Sequence, residues 1–332
     1  MTDAYLPLGL EYLADQPSIA PRGLIASGRA LGIALGGFTV AGMAALAWGS
    51  VERRLPVLRH VTVTLPPERE IRDLDILHIS DLHLYPGQEF IVRFLKDVAS
   101  AHDIDLVVST GDNFGAVEGL DLVKRAYEPF IHLPGVFVLG SNDYYSARKK
   151  NWGRYLIGGH KLPEPTIPDL PWTHMVKLLR DAGWLDLSNR SGTLEIPVNG
   201  AGPAQTVSFL GTDDAHINRD RITPVGDEWA AENSLRIGVT HSPYTRVINA
   251  FTSAGADLML AGHTHGGQIG LPGFGAIVTN CDIDRAYAKG LHAWSANGHE
   301  SMLHVSAGLG TSPYAPVRIA TRPDATMIHI RS

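Results

Sequence analysis

Residues 77–84 read LHISDLHL: an apolar run through Ile79 ends at Ser80 and then presents Asp81 and His83 two positions apart. In extended backbone, residues two apart face the same side. A carboxylate and an imidazole on one side of a strand end form a natural metal-binding pair. The arrangement recurs at 261–265, AGHTH, where His263 and His265 follow the apolar run Asp257 to Leu260. Three more polar groups stand directly behind apolar runs: Gly111-Asp112-Asn113, Gly140-Ser141-Asn142-Asp143 and Thr240-His241-Ser242. A lone D-x-H or H-x-H is ordinary in a solvated loop. Five such groups at five strand ends point to one crevice, because loops at the carboxyl ends of neighbouring strands converge in layered α/β folds. Gly111, Gly140 and Gly262 open three of the groups with a residue that lets backbone turn sharply and approach an ion.

Outward from these groups, short apolar strands alternate with amphipathic helices, the pattern of a layered α/β domain. Strands are expected at Leu74 to Ser80, Ile104 to Ser109, Gly135 to Leu139, Arg236 to Thr240, Asp257 to Leu260 and Met302 to Ser306. Helices are expected at Glu89 to Ala101, Glu118 to His132 and His174 to Ala182, with a hairpin across Asn199 to Gln205. The segment Tyr144 to Pro171 interleaves Tyr144, Tyr145, Trp152 and Tyr155 with Arg148, Lys149, Lys150, Arg154 and Lys161; it reads either as a lid over a base or phosphate, or as a packed surface excursion. His78 reads as a core residue, Asp213 and Asp214 as shapers of a loop, and Arg318 as half of a structural ion pair.

With 332 residues, 44% hydrophobic and 19% charged, the chain is an ordinary folded protein and not a multi-pass membrane protein. A net charge of -6 argues against a generic nucleic-acid binder. The single cysteine, Cys281, excludes a thiolate cluster, so metal ligands come from the 15 histidines and the carboxylates.

The stretch 30–49, ALGIALGGFTVAGMAALAWG, holds 20 residues without a formal charge. At 1.5 Å per residue that matches a bilayer core of about 30 Å. One transmembrane pass is the leading reading, with a signal peptide cut after Ala45-Leu46-Ala47 or a soluble helix as rivals. The expected organisation is a tail at 1–29, a transmembrane helix at 30–49, a linker at 50–67 and a catalytic domain at 68–332. Arg22 and Arg29 precede the segment and Arg53, Arg54, Arg59 and Arg69 follow it, which leans toward a single-pass cell-membrane protein with a cytoplasmic catalytic domain.

Taken together, LHISDLHL at 77–84, AGHTHGGQIGLP at 261–272 and VSAGLGTS at 305–312 resemble the calcineurin-like metallophosphoesterase superfamily. The likeness is greatest to its bacterial membrane-anchored or exported phosphodiesterase branch, similar to UDP-2,3-diacylglucosamine pyrophosphatase-like proteins. The superfamily's ordered motifs are D-x-H, GD, GNH-[DE], a separate His and G-H-x-H. The resemblance implies a four-layer α/β/β/α sandwich around a dinuclear metal centre. It assigns Asp81, His83 and His265 to one metal, Asn142, His241 and His263 to the other, and Asp112 as the bridge. Two divalent ions, Mn, Fe or Zn, are the implied cofactors. The expected reaction is hydrolysis of a phosphodiester or pyrophosphate bond, on a lipid- or nucleotide-linked substrate, by in-line attack of a metal-bridging hydroxide. The alternatives are an exported phosphodiesterase or nuclease and a non-catalytic metal-binding scaffold.

The third motif departs from the family. Aligned on its ligand asparagine, Asp143 stands where the catalytic His belongs. Two nearby cations disfavour a protonated Asp143, so a substrate with a good leaving group is expected. On this reading an Asp143→His variant gains more on alkyl esters than on pyrophosphates.

Overall fold

In LDILHI, residues 74–79, only Asp75 keeps partial exposure, and the run forms strand β2 (Leu74–Ile79) inside a six-stranded sheet. Its companions are β1 (Val57–Thr64), β3 (Leu106–Ser109), β4 (Gly135–Phe137), β5 (Leu185–Asp186) and β14 (Asp324–Arg331), in the order β1-β14-β2-β3-β4-β5. From β2 to β5 the strands are parallel. β14 runs antiparallel to β2 and parallel to β1. A second six-stranded sheet contains β6 (Ser191–Ile196), β7 (Gln205–Gly211), β8 (Leu235–Val239), β9 (Leu258–Ala261), β12 (Gly290–Ala296) and β13 (His299–Val305), in the order β12-β13-β9-β8-β7-β6. A two-stranded ribbon pairs β10 (Gly270–Leu271) with β11 (Gly275–Ala276). This computed structural model describes residues 42–147, 167–197, 204–231, 233–271 and 275–332. The chain divides into two compact units, Met1–Ala45 and Leu46–Ser332, and both sheets belong to the second.

The pleat sorts side chains into three cores. Leu77, Ile79 and Val107 face the helices Glu89–Ala101, Leu120–Tyr127 and Trp172–Asp181, whose Ile91, Leu95, Leu122, Tyr127 and Leu179 close the first core. Their neighbours Ile76, Leu106 and Val108 face the other way, toward Phe209, Ile237, Val239 and Leu260 of the second sheet. On the far side of that sheet, Leu210, Met259 and Leu303 receive Val247, Ile248 and Phe251 of the helix Thr245–Ser253. Helix, sheet, sheet and helix are the four layers that the α/β/β/α expectation describes. Burying a side chain of this size contributes about 1.5–3 kcal/mol, so the cores hold both sheets firmly behind the loops that follow β2, β3, β4, β8 and β9.

Two expectations for the N-terminal region change. The linker expected at 50–67 contains β1, paired with β14 from Val57↔Asp324 to Thr64↔Arg331. VLRHVTVT alternates in character because it is a half-exposed edge strand, and that alternation resembles a polar connector. Residues 42–52 are helical, so the helix continues three residues beyond Gly49. Its end lies within the second unit: Glu52 is buried and accepts hydrogen bonds from the backbone N–H groups of Ala320 and Thr321, at 3.1 and 2.8 Å, while Arg318 N–H donates to the Gly49 carbonyl. Residues 30–41 of the expected transmembrane segment lie outside the described residues. Among the described residues, no helix is long and apolar enough to cross a membrane. Residues 148–166 of the expected lid, and residues 199–203 of the expected hairpin, also lie outside them; the flanking strands β6 and β7 are antiparallel partners.

Candidate metal centre

The parallel strands β2, β3, β4, β8 and β9 all end at one edge, and the loops that follow them bring the polar groups together. Asp81 and His83 follow β2, Asp112 follows β3, Asn142 follows β4, His241 follows β8, and His263 and His265 follow β9. Five of these seven residues hold a left-handed backbone: Asp81 at φ 51°, His83 at 41°, Asp112 at 58°, His263 at 69° and His265 at 52°. Each such non-glycine conformation costs about 1–3 kcal/mol and persists where surrounding structure enforces it, which happens most at functional sites.

Asp112 is the hub. Its Oδ2 lies 3.5 Å from His83 Nε2 and 3.4 Å from His241 Nε2, and accepts a 2.7 Å hydrogen bond from Asn142 Nδ2. Asp81 Oδ1 is 3.6 Å from His265 Nε2 and 3.9 Å from His83 Nε2. Two groups of three donors therefore stand close enough to hold a cation: Asp81 with His83 and His265, and Asp81 with Asp112 and His241. His263 stands at the rim. Its ring centroid is 5.2 Å from that of His241, its Nε2 meets the Asn280 carbonyl at 3.4 Å, and its backbone N–H donates to Asp81.

One imidazole tests the fit to a metal directly. His241 is buried, its Nδ1 donates to the Thr110 carbonyl at 2.7 Å, and its Nε2, on the Asp112 side, has no hydrogen-bond partner. A histidine whose one nitrogen is fixed by a carbonyl and whose other points at carboxylates without a hydrogen-bond partner is oriented as a metal ligand, with a cation taking the place of its proton. Oxygen and imidazole donors without thiolate suit a divalent ion of intermediate hardness.

The electrostatics follow from burial. Burial raises the pKa of Asp81. Burial also works against ionised Asp112, but the charge of His241, then that of His83 and the hydrogen bond from Asn142, hold it well below the usual carboxylate range. His241 is desolvated too, yet Asp112 and Asp214 keep its pKa well above the ordinary value. Burial, then His241, pushes His263 down to about 3; burial, His83 and Arg318 depress His265 strongly. His263 and His265 are accordingly neutral near pH 7, the form that coordinates metal.

Glycine is required twice by close approach. A Cβ on Gly140 would collide with Asp112 Oδ1, and one on Gly262 would collide with Ser80 Oγ and Asp81 Oδ2. Both glycines let one loop press its backbone against another loop's ligand.

Asp143 has a different task from the one its place in the motif suggests. It is fully buried, and its two oxygens accept from the backbone N–H groups of Gly140, Asp112 and Asn113 at 2.8–2.9 Å and from Asn113 Nδ2 at 3.1 Å. Burial and the charge of Asp112 push its pKa up to about 7. The carboxylate ties the loop after β3 to the loop after β4, and caps the short helix Ser141–Tyr144 from its third position. Both of its oxygens are thus occupied by N–H donors.

Several contributors are not evident from sequence. Arg318, expected in an ion pair, is fully buried and donates to His265 Nδ1 at 3.1 Å and to the carbonyls of Gly308 and Gly310 at 3.0 and 2.7 Å. His78 is a core residue as expected, but it also joins a polar chain. Its Nδ1 is 2.9 Å from His304 Nδ1 across the two sheets; its Nε2 meets Thr110 Oγ1, which donates to Ser80 Oγ, which donates to Asp81 Oδ2. Asp213 and Asp214 shape a loop as expected: Asp213 receives Tyr144 Oη and Arg219 Nε, and Asp214 caps the turn Ala215–Ile217. The ring of His216 on that turn lies tilted by 44° against that of His263 at 4.5 Å between centroids, with its Nδ1 3.1 Å from Tyr244 Oη. Its only signal in the sequence is a histidine two residues after the paired aspartates.

Comparison with known proteins agrees with this geometry. The sequence model described as calcineurin-like phosphoesterase matches residues 74–267, from β2 to just beyond His265. The uncharacterized metallophosphoesterase YkoQ of Bacillus subtilis is 27% identical over 273 residues, 78% of this chain and 84% of that protein. The phosphodiesterase YaeI of Escherichia coli is 28% identical over 175 residues, 52% of this chain and 56% of that one. Among solved structures, the NAD nucleotidase of Haemophilus influenzae gives a TM-score of 0.40 at 13% identity, over 72% of this chain and 46% of the other. With the family match spanning the ligand loops, the chain belongs to the calcineurin-like phosphoesterases, hydrolases that act on phosphoester bonds.

Proposed function

We propose that the protein hydrolyses a phosphodiester or a pyrophosphate at a centre built on Asp112. The observation that carries this reading is the position of Asp112 Oδ2, within 3.5 Å of imidazole nitrogens from two different loops, His83 and His241. A carboxylate so placed holds two cationic sites in register. Asp81, His83 and His265 would hold one divalent ion, and Asn142, His241 and His263 the other, with Asp112 between them. When bound, such ions polarise the phosphoryl oxygens and lower the pKa of a water so that it becomes the nucleophile.

The chain's own residues set the rest. His241 is held by Thr110 and His265 by Arg318, so both rings are oriented before substrate arrives. Asp143 is committed to four N–H groups, which leaves the leaving group to depart with little help from it. Substrates whose leaving group is stable as an anion suit this site: the phosphate of a pyrophosphate linkage or an aryl alcohol. Assay of the metal-supplemented full chain on bis(p-nitrophenyl) phosphate, an alkyl phosphodiester and a nucleoside diphosphate sugar tests this. Faster turnover of the alkyl ester than of the other two would refute it.

We further place the enzyme at a membrane through residues 30–49. The uncharged run supports this, as do the exposed Leu46, Trp48 and Val51 on the helical residues 42–52. Recovery of the full chain in the soluble fraction after high-speed sedimentation of lysed cells would refute it.

A further inference from the structure

Beside the ligand loop after β9 is a cavity of about 360 Å³, lined by Gly266, Gly275, Ala276, Asp284, Ala288 and Lys289, among others. It adjoins the centre through two contacts. Gly266 directly follows the ligand His265, and Thr264, between the two ligand histidines, donates to the Ala288 carbonyl at 2.6 Å. A Cβ on Gly266 would come within 3.0 Å of Lys289 Cδ, so the lysine stem runs along the ligand loop.

Lys289 is half-buried, and its ammonium makes no hydrogen bond or ion pair among the described residues. Burial lowers its pKa, as do Arg59 and Arg318; Asp324 and Glu52 work in the opposite sense. Both of those carboxylates are already engaged. Asp324 pairs with Arg59 at 2.6 Å, and Glu52 accepts from Ala320 and Thr321. Asp284, the acid on the cavity wall, accepts from Ala286 N–H through its Oδ1. A half-buried ammonium with no carboxylate paired to it favours an anion at its side.

We infer that this cavity is an anion subsite in which Lys289 receives a second negatively charged group of the substrate, carried beyond the phosphate that is hydrolysed. The inference deepens the proposed hydrolase reading and rests on it for the position of the first phosphate. The shared chemistry is a phosphate or similar anion on a small group that fits about 360 Å³; a nucleotide and a lipid headgroup both offer it.

The test uses the metal-loaded full chain and two non-hydrolysable probes, methylenediphosphonate and methylphosphonate, titrated by calorimetry. A charge-assisted contact of this kind is worth about tenfold or more in affinity. Lys289→Gln should weaken methylenediphosphonate by about tenfold, leave methylphosphonate within about twofold, and Lys289→Arg should restore most of the loss. Equal weakening of both probes, or no change in either, overturns the subsite. In turnover, Lys289→Gln should raise KM for UDP-glucose and for CDP-diacylglycerol in mixed micelles, with bis(p-nitrophenyl) phosphate unaffected; the better of the two pyrophosphates identifies the source. Failure of the wild type to hydrolyse any ester, with the probe discrimination intact, would remove the hydrolase reading and leave the subsite standing.

Discussion

His83 Nε2 and His265 Nε2 are 3.1 Å apart, although 182 residues separate them in the chain. Their rings stack at 4.9 Å between centroids, and Asp81 Oδ1 lies within 3.9 Å of both nitrogens. Two imidazoles and a carboxylate converging from the ends of β2 and β9 form a donor group that could hold one cation at the seam where the two sheets meet. Only the packing of both sheets against the shared core of Ile76, Val108, Ile237 and Leu260 brings these strand ends together.

Arg318 should govern metal affinity without touching the metal. Its guanidinium fixes His265 through Nδ1 and braces the backbone at Gly308 and Gly310. Outer contacts of this kind are typically worth 10- to 100-fold in metal affinity. Arg318→Lys keeps the charge but loses the fork, and competition with a fluorescent chelator should show a loss in that range. Unchanged affinity would mean that His265 is held by something else.

Asp143 should matter first for stability. Asp143→Asn places an amide NH2 against N–H donors at the junction of two loops, and leaving one or two of these buried groups unsatisfied costs about 1–3 kcal/mol each. A clear fall in melting temperature of the metal-free full chain is expected. Asp143→His should fall further, since an imidazole offers a single acceptor nitrogen to the four N–H donors that the carboxylate satisfies. An Asp143→His variant as stable as wild type and faster on alkyl esters would instead show that this position can take the acid role of the family's His.

Acid should unfold the protein through the buried His78–His304 pair. Burial lowers both pKa values, that of His304 to about 3 and that of His78 well below its ordinary value of 6.5. In the unfolded chain both rings bind protons below about pH 6.5. The stability tied to their neutral forms is therefore complete above that pH and falls as pH drops toward 3, by up to about 1.4 kcal/mol per pH unit for each ring. Urea midpoints between pH 7 and pH 4 should decline less steeply for His304→Gln than for the wild type. Parallel declines would place the acid sensitivity elsewhere.

The gathering of donor residues at one edge was legible because they sit at the ends of strongly apolar strands: Asp81 and His83 after β2, His263 and His265 after β9. The helix Glu89–Ala101 was legible for a similar reason, since Ile91, Leu95 and Val98 mark one face. β1 was not, because an edge strand with Arg59, His60 and Thr62 among its valines has the composition of a connector. The task of Asp143 was hidden because a carboxylate that caps a short helix and clamps backbone N–H groups of two loops has no signature in ligand spacing. Arg318 was hidden because its partners are carbonyls and a ring nitrogen from segments with no pattern of their own. Lys289 was hidden because a cavity has no sequence signature.

The most direct measurement of the central claim is metal content per chain, by plasma mass spectrometry, for the full-length wild type and Asp112→Asn, each assayed in parallel on bis(p-nitrophenyl) phosphate. The account predicts about two divalent ions in the wild type, one or fewer in the variant, and a loss of hydrolysis of at least about a hundredfold. A wild type that takes up no metal, or a variant that hydrolyses as fast as the wild type, would contradict it.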